Sequence, residues 1–562
     1  MTSGSISHRG WLLILLAVAL VWFSNLDARR LVRPDEGRYA EIPREMAASG
    51  DWLTPRLNGF KYFEKPALQY WATAAAYMAF GEHEWTARLW PALTGFFGLM
   101  MVVYTGSQLF GRAAGNYAGM VLASSMLYSG MAHVITLDMG VSVFMGLTLC
   151  AFLLAQRDGA SPRATRNWMW LAWAAMGLAV LSKGLQGVVL PGAVLVLHTL
   201  IERDFALWKR LHIVSGLAIF LAVAAPWFVA VSLANPEFFQ FFFIHEHFER
   251  FLTKAHQRYR PFWYFIPILL LGMLPWMIVM FDALANAWRK ESGSRFQPKR
   301  FLLIWVGFIF VFFSASSSKL PSYILPMFPG LALLIGARLT EMSARRLAWL
   351  AGPVMLAAAA GLGISPFLER FASDEVLPPL FVAYMPWLIV ACVTLGTGIV
   401  FALLIDRTGQ RELAVLALSA GGLGFAQLVL TGHDSFAPSQ SAYHLVEEAR
   451  QKLAGDRLLD RPEVPFYSVG FYEQTLPFYI KRTVTLVAHR DEMDFGIIQE
   501  PQKFVPTIEE FERRWRTDRE ALAIVQPYRY RDFKAAGLPM QLIAEDTRRV
   551  IIRKPQAPAR SP

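Results

Sequence analysis

Cysteine is almost absent: the 562 residues hold two, Cys150 and Cys392, both inside apolar runs. A disulfide framework is not expected, and a thiolate metal site is excluded, since such sites need several cysteines. Charge is scarce at 17% of residues, against 55% hydrophobic ones. An ordinary soluble domain carries about 25% charged residues. No glycine-rich phosphate loop follows a strand-like run, so no nucleotide site is assigned. No basic patch is interleaved with aromatics, and nucleic acid is not an expected partner. What is abundant is apolar: 42 Phe, 18 Trp and a mean hydropathy of +0.35. The aromatics suit lipid contact and interfacial anchoring, and the length makes this a polytopic membrane protein.

A membrane span takes about 20 apolar residues. Such runs begin near Trp11, Trp85, Asn116, Met139, Trp168, Val188, Leu211, Phe262, Phe301, Tyr323, Leu347, Phe381 and Leu413, about thirteen in all. The first, after Arg9, has signal-peptide character but no convincing small-x-small cleavage site, and is read as an uncleaved span. Loop charge sets the orientation. Seventeen Lys and Arg fall in one alternate set of loops, while the short loops of the other set carry only Lys183, Lys319 and Arg370. Basic loops stay in the cytoplasm. The N-terminus is thus expected inside, and residues 433–562 outside, which in a bacterium is the periplasm. The net charge of +11 belongs to the membrane part, because residues 433–562 hold 20 Lys and Arg against 19 Asp and Glu.

The organisation expected is a membrane domain over residues 1–432 and a soluble α/β domain over 433–562. Two outside loops are long. In the first, residues 27–84, helical periodicity covers Glu36–Ala48, and Ala67–Phe80 reads as a second, short apolar helix; both are expected along the membrane interface. The second is residues 235–261, Phe-rich and then basic. In the C-terminal part, strand-like runs at Val464–Val469, Thr483–Val487, Leu522–Gln526 and Arg549–Arg553 alternate with helical patterns at Ala442–Leu453 and Ile508–Trp515.

Polar residues expected at the outer membrane edge come from distant positions: Asp35, Glu36, Tyr62, Glu64 and Lys65; His133 and Asp138; Lys183; His245, His247 and Arg250; Lys319 and Tyr323. Charge beside lipid is costly and marks function. Each residue alone has an ordinary explanation. Asp35, Glu36 or Asp138 could favour a helix N-terminus. Glu64 and Lys65 could form a surface ion pair worth less than ~1 kcal/mol. The histidines could be satisfied interfacial groups, and the lysines could snorkel. Their joint placement at one depth and on one side argues for a site. Carboxylates, ammonium groups, a guanidinium and imidazoles together suit phosphate, and a carboxylate with an imidazole can hold a divalent cation.

The motifs PDEGRYAEIPREM (34–46), GDWLTP (50–55) and YFEKP (62–66) resemble the first periplasmic loop of the GT-C glycosyltransferases. TLDM (136–139), LSKG (181–184), APW (225–227) and KLPSY (319–323) fit the same superfamily in order, most closely the lipid A aminoarabinose transferases, relatives of the protein O-mannosyltransferases. The resemblance implies a GT-C fold and a donor in which 4-amino-4-deoxy-L-arabinose is carried by undecaprenyl phosphate. It implies a lipid A phosphate acceptor, transfer at the periplasmic face of the inner membrane, and resistance to polymyxin and other cationic peptides, because a cationic sugar masks an anionic phosphate. It casts Asp35 and Asp138 as essential carboxylates, and Lys65 and Arg250 as donor-phosphate ligands with Tyr62, Lys319 and Tyr323 close by. Glu64 and His245 become ligands of a divalent metal, zinc, although the sequence offers His247 as well. One departure is Gly37, where a small polar residue is more usual. A monomer is expected.

Other readings make different demands. Transfer of another sugar, to protein or glycan, would use the same donor chemistry. A lipid-linked-sugar transporter would place its charges near the midplane and show internal repeats, and neither is evident. A membrane scaffold would leave the first-loop charges unexplained.

Overall fold

The computed structural model describes residues 6–249, 260–290, 293–455 and 457–555. The described membrane part is mainly helical, beginning with α1 (His8–Ser24), α2 (Asp35–Ser49), α3 (Leu68–Phe80), α4 (Glu84–Phe110), α5 (Arg112–Ser124), α6 (Met126–Met131), α7 (Asp138–Gln156), α8 (Pro162–Lys183), α9 (Gln186–Glu202) and α10 (Ile213–Ala234). Apolar helices then cover Pro298–Ala315, Pro321–Glu341, Ala344–Phe371, Pro378–Asp406 and Arg411–Gln440, after a sharply bent pair, Phe262–Gly272 and Met277–Ala287. All thirteen apolar runs therefore lie on helices. Among the described residues, eight helices are individually long and apolar enough to cross a membrane, and the bent pair makes nine. The α1 and α9 helices are shorter but also apolar. Inside a bilayer only helices and closed barrels satisfy every backbone group, which is why the apolar runs fold this way.

Burial sorts the bundle. α7 is buried along nearly its whole length, whereas α10 exposes most of its apolar surface, as a lipid-facing helix does. The sequence places acidic residues at the start of α2, Asp35 and Glu36, where the helix dipole favours them, and Gly50 ends it in the left-handed conformation (φ +73°), its N–H donating to Met46 O. An interfacial amphipathic helix would keep one face open. α2 instead buries ten of its fifteen residues, because α3, the segment that follows α2 and the C-terminal domain all pack on it.

After α2 the chain forms a hairpin of β1 (Arg56–Leu57) and β2 (Phe60–Lys61). Its two-residue turn, Asn58–Gly59, has positive φ at both positions (+52° and +79°), as this turn demands.

The C-terminal domain carries a five-stranded sheet in the order β4-β3-β5-β7-β6, made of β3 (Phe466–Val469), β4 (Thr485–Val487), β5 (Leu522–Val525), β6 (Gln541–Glu545) and β7 (Val550–Arg553). β3 pairs in parallel with β4 and β5; β7 runs antiparallel to β5 and β6. The β6 strand has no counterpart in the sequence reading. It is an edge strand with a register shift between Leu542 and Ala544, which breaks the alternation that marks a strand.

The domain is seated on the first loop. Asn58 Nδ2 donates to Val484 O and Val484 N donates to Asn58 Oδ1, both at 2.8 Å. Arg56 and the Lys61 N–H both reach Glu500, and Tyr479 Oη accepts from Leu31 N at 2.9 Å. A Cβ at Gly37 would lie 2.6 Å from the main-chain carbonyl of Gln474, so α2 and the C-terminal backbone touch there. The small polar side chain expected at Gly37 has no room.

Candidate functional site

Asp35 opens α2 and is partly exposed, its Oδ1 3.3 Å from Arg38 Nη1 one turn on. Its neighbour Glu36 points the other way, into a buried hub. Glu36 accepts from Arg88 Nε and Nη2 at 2.9 Å, from Val32 N at 3.0 Å and from Ile135 N at 3.2 Å. Arg29 Nη2 lies 3.8 Å away. Burial alone would raise this carboxyl, but Arg88 and Arg29 more than offset it and hold it at about 2. The hub locks the start of α2 to α4 and to the segment that leads into α7. It therefore sets where Asp35 stands relative to Asp138.

Asp138 is the first residue of α7, buried, its N–H facing Thr136 Oγ1 at 3.4 Å. It forms an ion pair with Lys183, the last residue of α8. The Lys183 ammonium also lies 5.2 Å from the Tyr323 ring centroid and within electrostatic range of Asp35. Four elements far apart in sequence thus meet: the starts of α2 and α7, the end of α8, and the Pro321–Met327 turn.

On the other side of Arg38 stand Tyr39, Tyr62, Tyr70 and Glu64. The Arg38 guanidinium is 5.6 Å from the Tyr39 ring, and Tyr39 stacks on Tyr70. Burial, reinforced at Tyr62 by the Glu64 charge and at Tyr39 by Asp35 and Glu64, pushes these phenols up, so they stay protonated donors. The Tyr62 and Tyr70 hydroxyls and Arg38 Nε are buried and have no hydrogen-bond partner among the described residues. Buried polar groups of that kind are normally paired, so a polar ligand has groups to bind here.

Lys65 Nζ donates to Glu64 O at 2.8 Å and lies 3.9 Å from the Glu64 carboxylate and 3.5 Å from Glu246. It therefore bridges the YFEKP segment to the stretch carrying His245, whose ring is exposed and stacks on Phe241. Among the described residues no three His, Cys, Asp or Glu side chains gather as a closed metal site would need. Glu64 and His245 supply one oxygen and one nitrogen donor on either side of the Lys65–Glu246 contact. Donors of these two types suit zinc, and two are fewer than a closed site uses. Arg250 lies outside the described residues, as does the His247 side chain.

Two residues grouped by sequence with the site are engaged elsewhere. Lys319 is buried and donates to the main-chain carbonyls of Ser316 and Arg260. His133 turns into the bundle, both ring nitrogens against carbonyl oxygens, of Ser129 and Trp22. Sequence reasoning left Arg38, Tyr39, Tyr70, Arg88 and Glu492 unassigned. Arg38 and Tyr39 lay in plain view inside the PDEGRY motif. Arg88, inside an apolar run, carried the signal of a charge that lipid would not tolerate alone. Glu492 carried none.

With that geometry in place, comparison with known proteins is informative. A family model described as dolichyl-phosphate-mannose-protein mannosyltransferase matches residues 8–243, and one described as aminoarabinose transferase C-terminal domain matches residues 457–554. An undecaprenyl phosphate-alpha-4-amino-4-deoxy-L-arabinose arabinosyl transferase of Pectobacterium carotovorum is 31% identical, over 86% of this chain and 86% of its own length. One of the same description from Edwardsiella ictaluri is 32% identical over 59% of this chain, which spans 60% of that relative. The crystal structure of ArnT from Cupriavidus metallidurans bound to undecaprenyl phosphate superposes with a TM-score of 0.92 at 39% identity, covering 98% of this chain and all of that one. A full-length structural match and relatives aligned across both domains lead to one assignment: the chain belongs to the aminoarabinose transferase family of GT-C glycosyltransferases.

Proposed function

We propose that this chain transfers 4-amino-4-deoxy-L-arabinose from undecaprenyl phosphate to a lipid A phosphate. We place the reaction at the periplasmic face of a bacterial inner membrane, with the N-terminus cytoplasmic and residues 433–562 periplasmic. The observation that carries the reading is that the Asp138–Lys183 pair lies within electrostatic range of Asp35, and that Tyr39 feels the charges of both Asp35 and Glu64, the neighbour of Lys65. The basic loops at the opposite end of the bundle support the orientation.

The reaction exchanges one phosphate oxygen for another at the anomeric carbon. The bond from that carbon to the undecaprenyl phosphate oxygen breaks; a bond to the lipid A phosphate oxygen forms. The nucleophile is already anionic, so no proton need be removed. Asp35 orients the acceptor or the sugar amine and need not act as a strong base. Lys65, with Arg250, neutralises the charge that returns to the departing lipid phosphate, the main electrostatic contribution expected. A divalent cation, zinc, held by Glu64 and His245 would add to that neutralisation when bound. The Tyr62 and Tyr70 hydroxyls offer hydrogen bonds to the sugar or phosphate, and Asp138, paired with Lys183, serves as the second essential carboxylate. The test is lipid A from cells with and without this protein, compared by mass spectrometry. An aminoarabinose increment that depends on the protein supports the reading; an unchanged lipid A with a newly glycosylated protein would replace it with the protein-directed alternative.

A further inference from the structure

The C-terminal domain does more than cover α2. Glu492, in the turn after β4, forms an ion pair with Arg38, whose other terminal nitrogen reaches Asp35. Glu492 is itself held: Gln474 Nε2 donates to its Oε1 at 3.1 Å. Gln474 in turn is fixed by the contact at Gly37, where the main chains of the two domains approach too closely for any Cβ. A guanidinium thus stands between two carboxylates, one on each domain, and both it and Glu492 are nearly buried.

We propose that Glu492 is a positioning residue of the transferase. It shares the Arg38 guanidinium with Asp35, so that Asp35 is steadied without being consumed in a full ion pair and stays available to substrate. The inference rests on the transferase reading above. The residue contributed by the second domain makes that domain part of the catalytic unit rather than an appendage. The groups facing this junction are Asp35 and Tyr39 from α2, Tyr62 and Glu64 from the hairpin segment, and Asp491 beside Glu492. Every charged neighbour of Arg38 among these is acidic, so removing the Glu492 charge leaves the guanidinium to turn onto Asp35.

The test is Glu492→Gln in the full-length protein, purified in detergent and assayed with the undecaprenyl phosphate-linked aminoarabinose donor and lipid A. We expect kcat to fall about tenfold or more, as loss of an outer-shell partner typically does, with KM for the donor changing less. Glu492→Asp should restore part of the rate, and Gln474→Leu, which removes only the support of Glu492, should give an intermediate loss. A kcat within twofold of wild type overturns the proposal; so does a fall in rate that Glu492→Asp does not partly restore, which marks a merely structural role. Wild-type protein inactive with this donor would count against the transferase reading instead. An experimental structure of Glu492→Gln decides the point without an assay: Arg38 turned wholly onto Asp35 supports it, and an unmoved Arg38 overturns it.

Discussion

Adjacent acidic residues at the start of α2 do opposite work. Asp35 is partly exposed and reaches Arg38, whereas Glu36 is the buried acceptor of four hydrogen bonds from Arg88 and the backbone. Asp35→Asn should lower transfer by about a hundredfold while leaving folding intact, since it removes a charge and keeps the shape; full activity in purified protein would remove Asp35 from the mechanism. Glu36→Gln should instead cost about 3–5 kcal/mol of stability, because Arg88 would be left buried without its counter-charge. Thermal unfolding in detergent reads this. The Glu36 carboxyl sits at about 2 in the folded protein against an ordinary 4.5. Its contribution to stability is therefore present above about pH 4.5 and lost as the pH falls toward 2, and Glu36→Gln should flatten that acid limb. Asp35, Glu64, Lys65 and Asp138 could be picked out in the sequence because, although each alone has an ordinary use, their joint placement at one depth beside apolar runs does not. The division of labour between Asp35 and Glu36 could not, since neighbours in sequence become opposites only once helix phase and the position of Arg88 are known. Glu492 was silent for a related reason: its partner lies on another domain, and a glutamate in a polar turn looks like any other.

At the scale of elements, the β1–β2 hairpin is the joint between domains. Asn58 holds Val484 through both ends of its amide, and Gly59 N donates to Glu45 at 2.8 Å. Asn58→Ala should lose two hydrogen bonds and the residue type that tolerates positive φ, about 2 kcal/mol together, read as a lower Tm. Glu45 is buried, and burial followed by the charge of Glu41 pushes its carboxyl up to about 8. It is therefore neutral in the folded state at mild pH. The stability tied to that neutral form is complete below about pH 4.5 and is lost as the pH rises through about 8; Glu45→Gln should remove the alkaline loss, and an unaltered alkaline limb would contradict this assignment. Most helices were legible from apolar periodicity, including α2 and α3 to within a few residues. What periodicity could not convey was that α2 is enclosed, because part of the covering surface comes from the far end of the chain. The β6 strand escaped for a local reason, the register shift that spoils its alternation.

At the scale of the whole molecule, a polar site is held where an apolar bundle ends and a soluble domain begins. The bundle supplies Asp138, Lys183 and Tyr323 from helix ends and turns, the first loop supplies Asp35, Tyr62, Glu64 and Lys65, and the C-terminal domain closes over them through Glu492. Keeping charge at helix ends spares the lipid-facing surfaces, which stay apolar. The cation component has its own check: metal content of the purified protein should fall in Glu64→Gln, and unchanged content would remove Glu64 as a ligand. The central claim is that this junction moves a sugar between two lipid phosphates, and reconstitution tests it most directly. Purified protein incubated with undecaprenyl phosphate-linked aminoarabinose and lipid A should yield lipid A heavier by one aminoarabinosyl unit, and Asp35→Asn should form that product about a hundredfold more slowly. Undiminished product from Asp35→Asn, or none from the wild-type protein, would contradict the account.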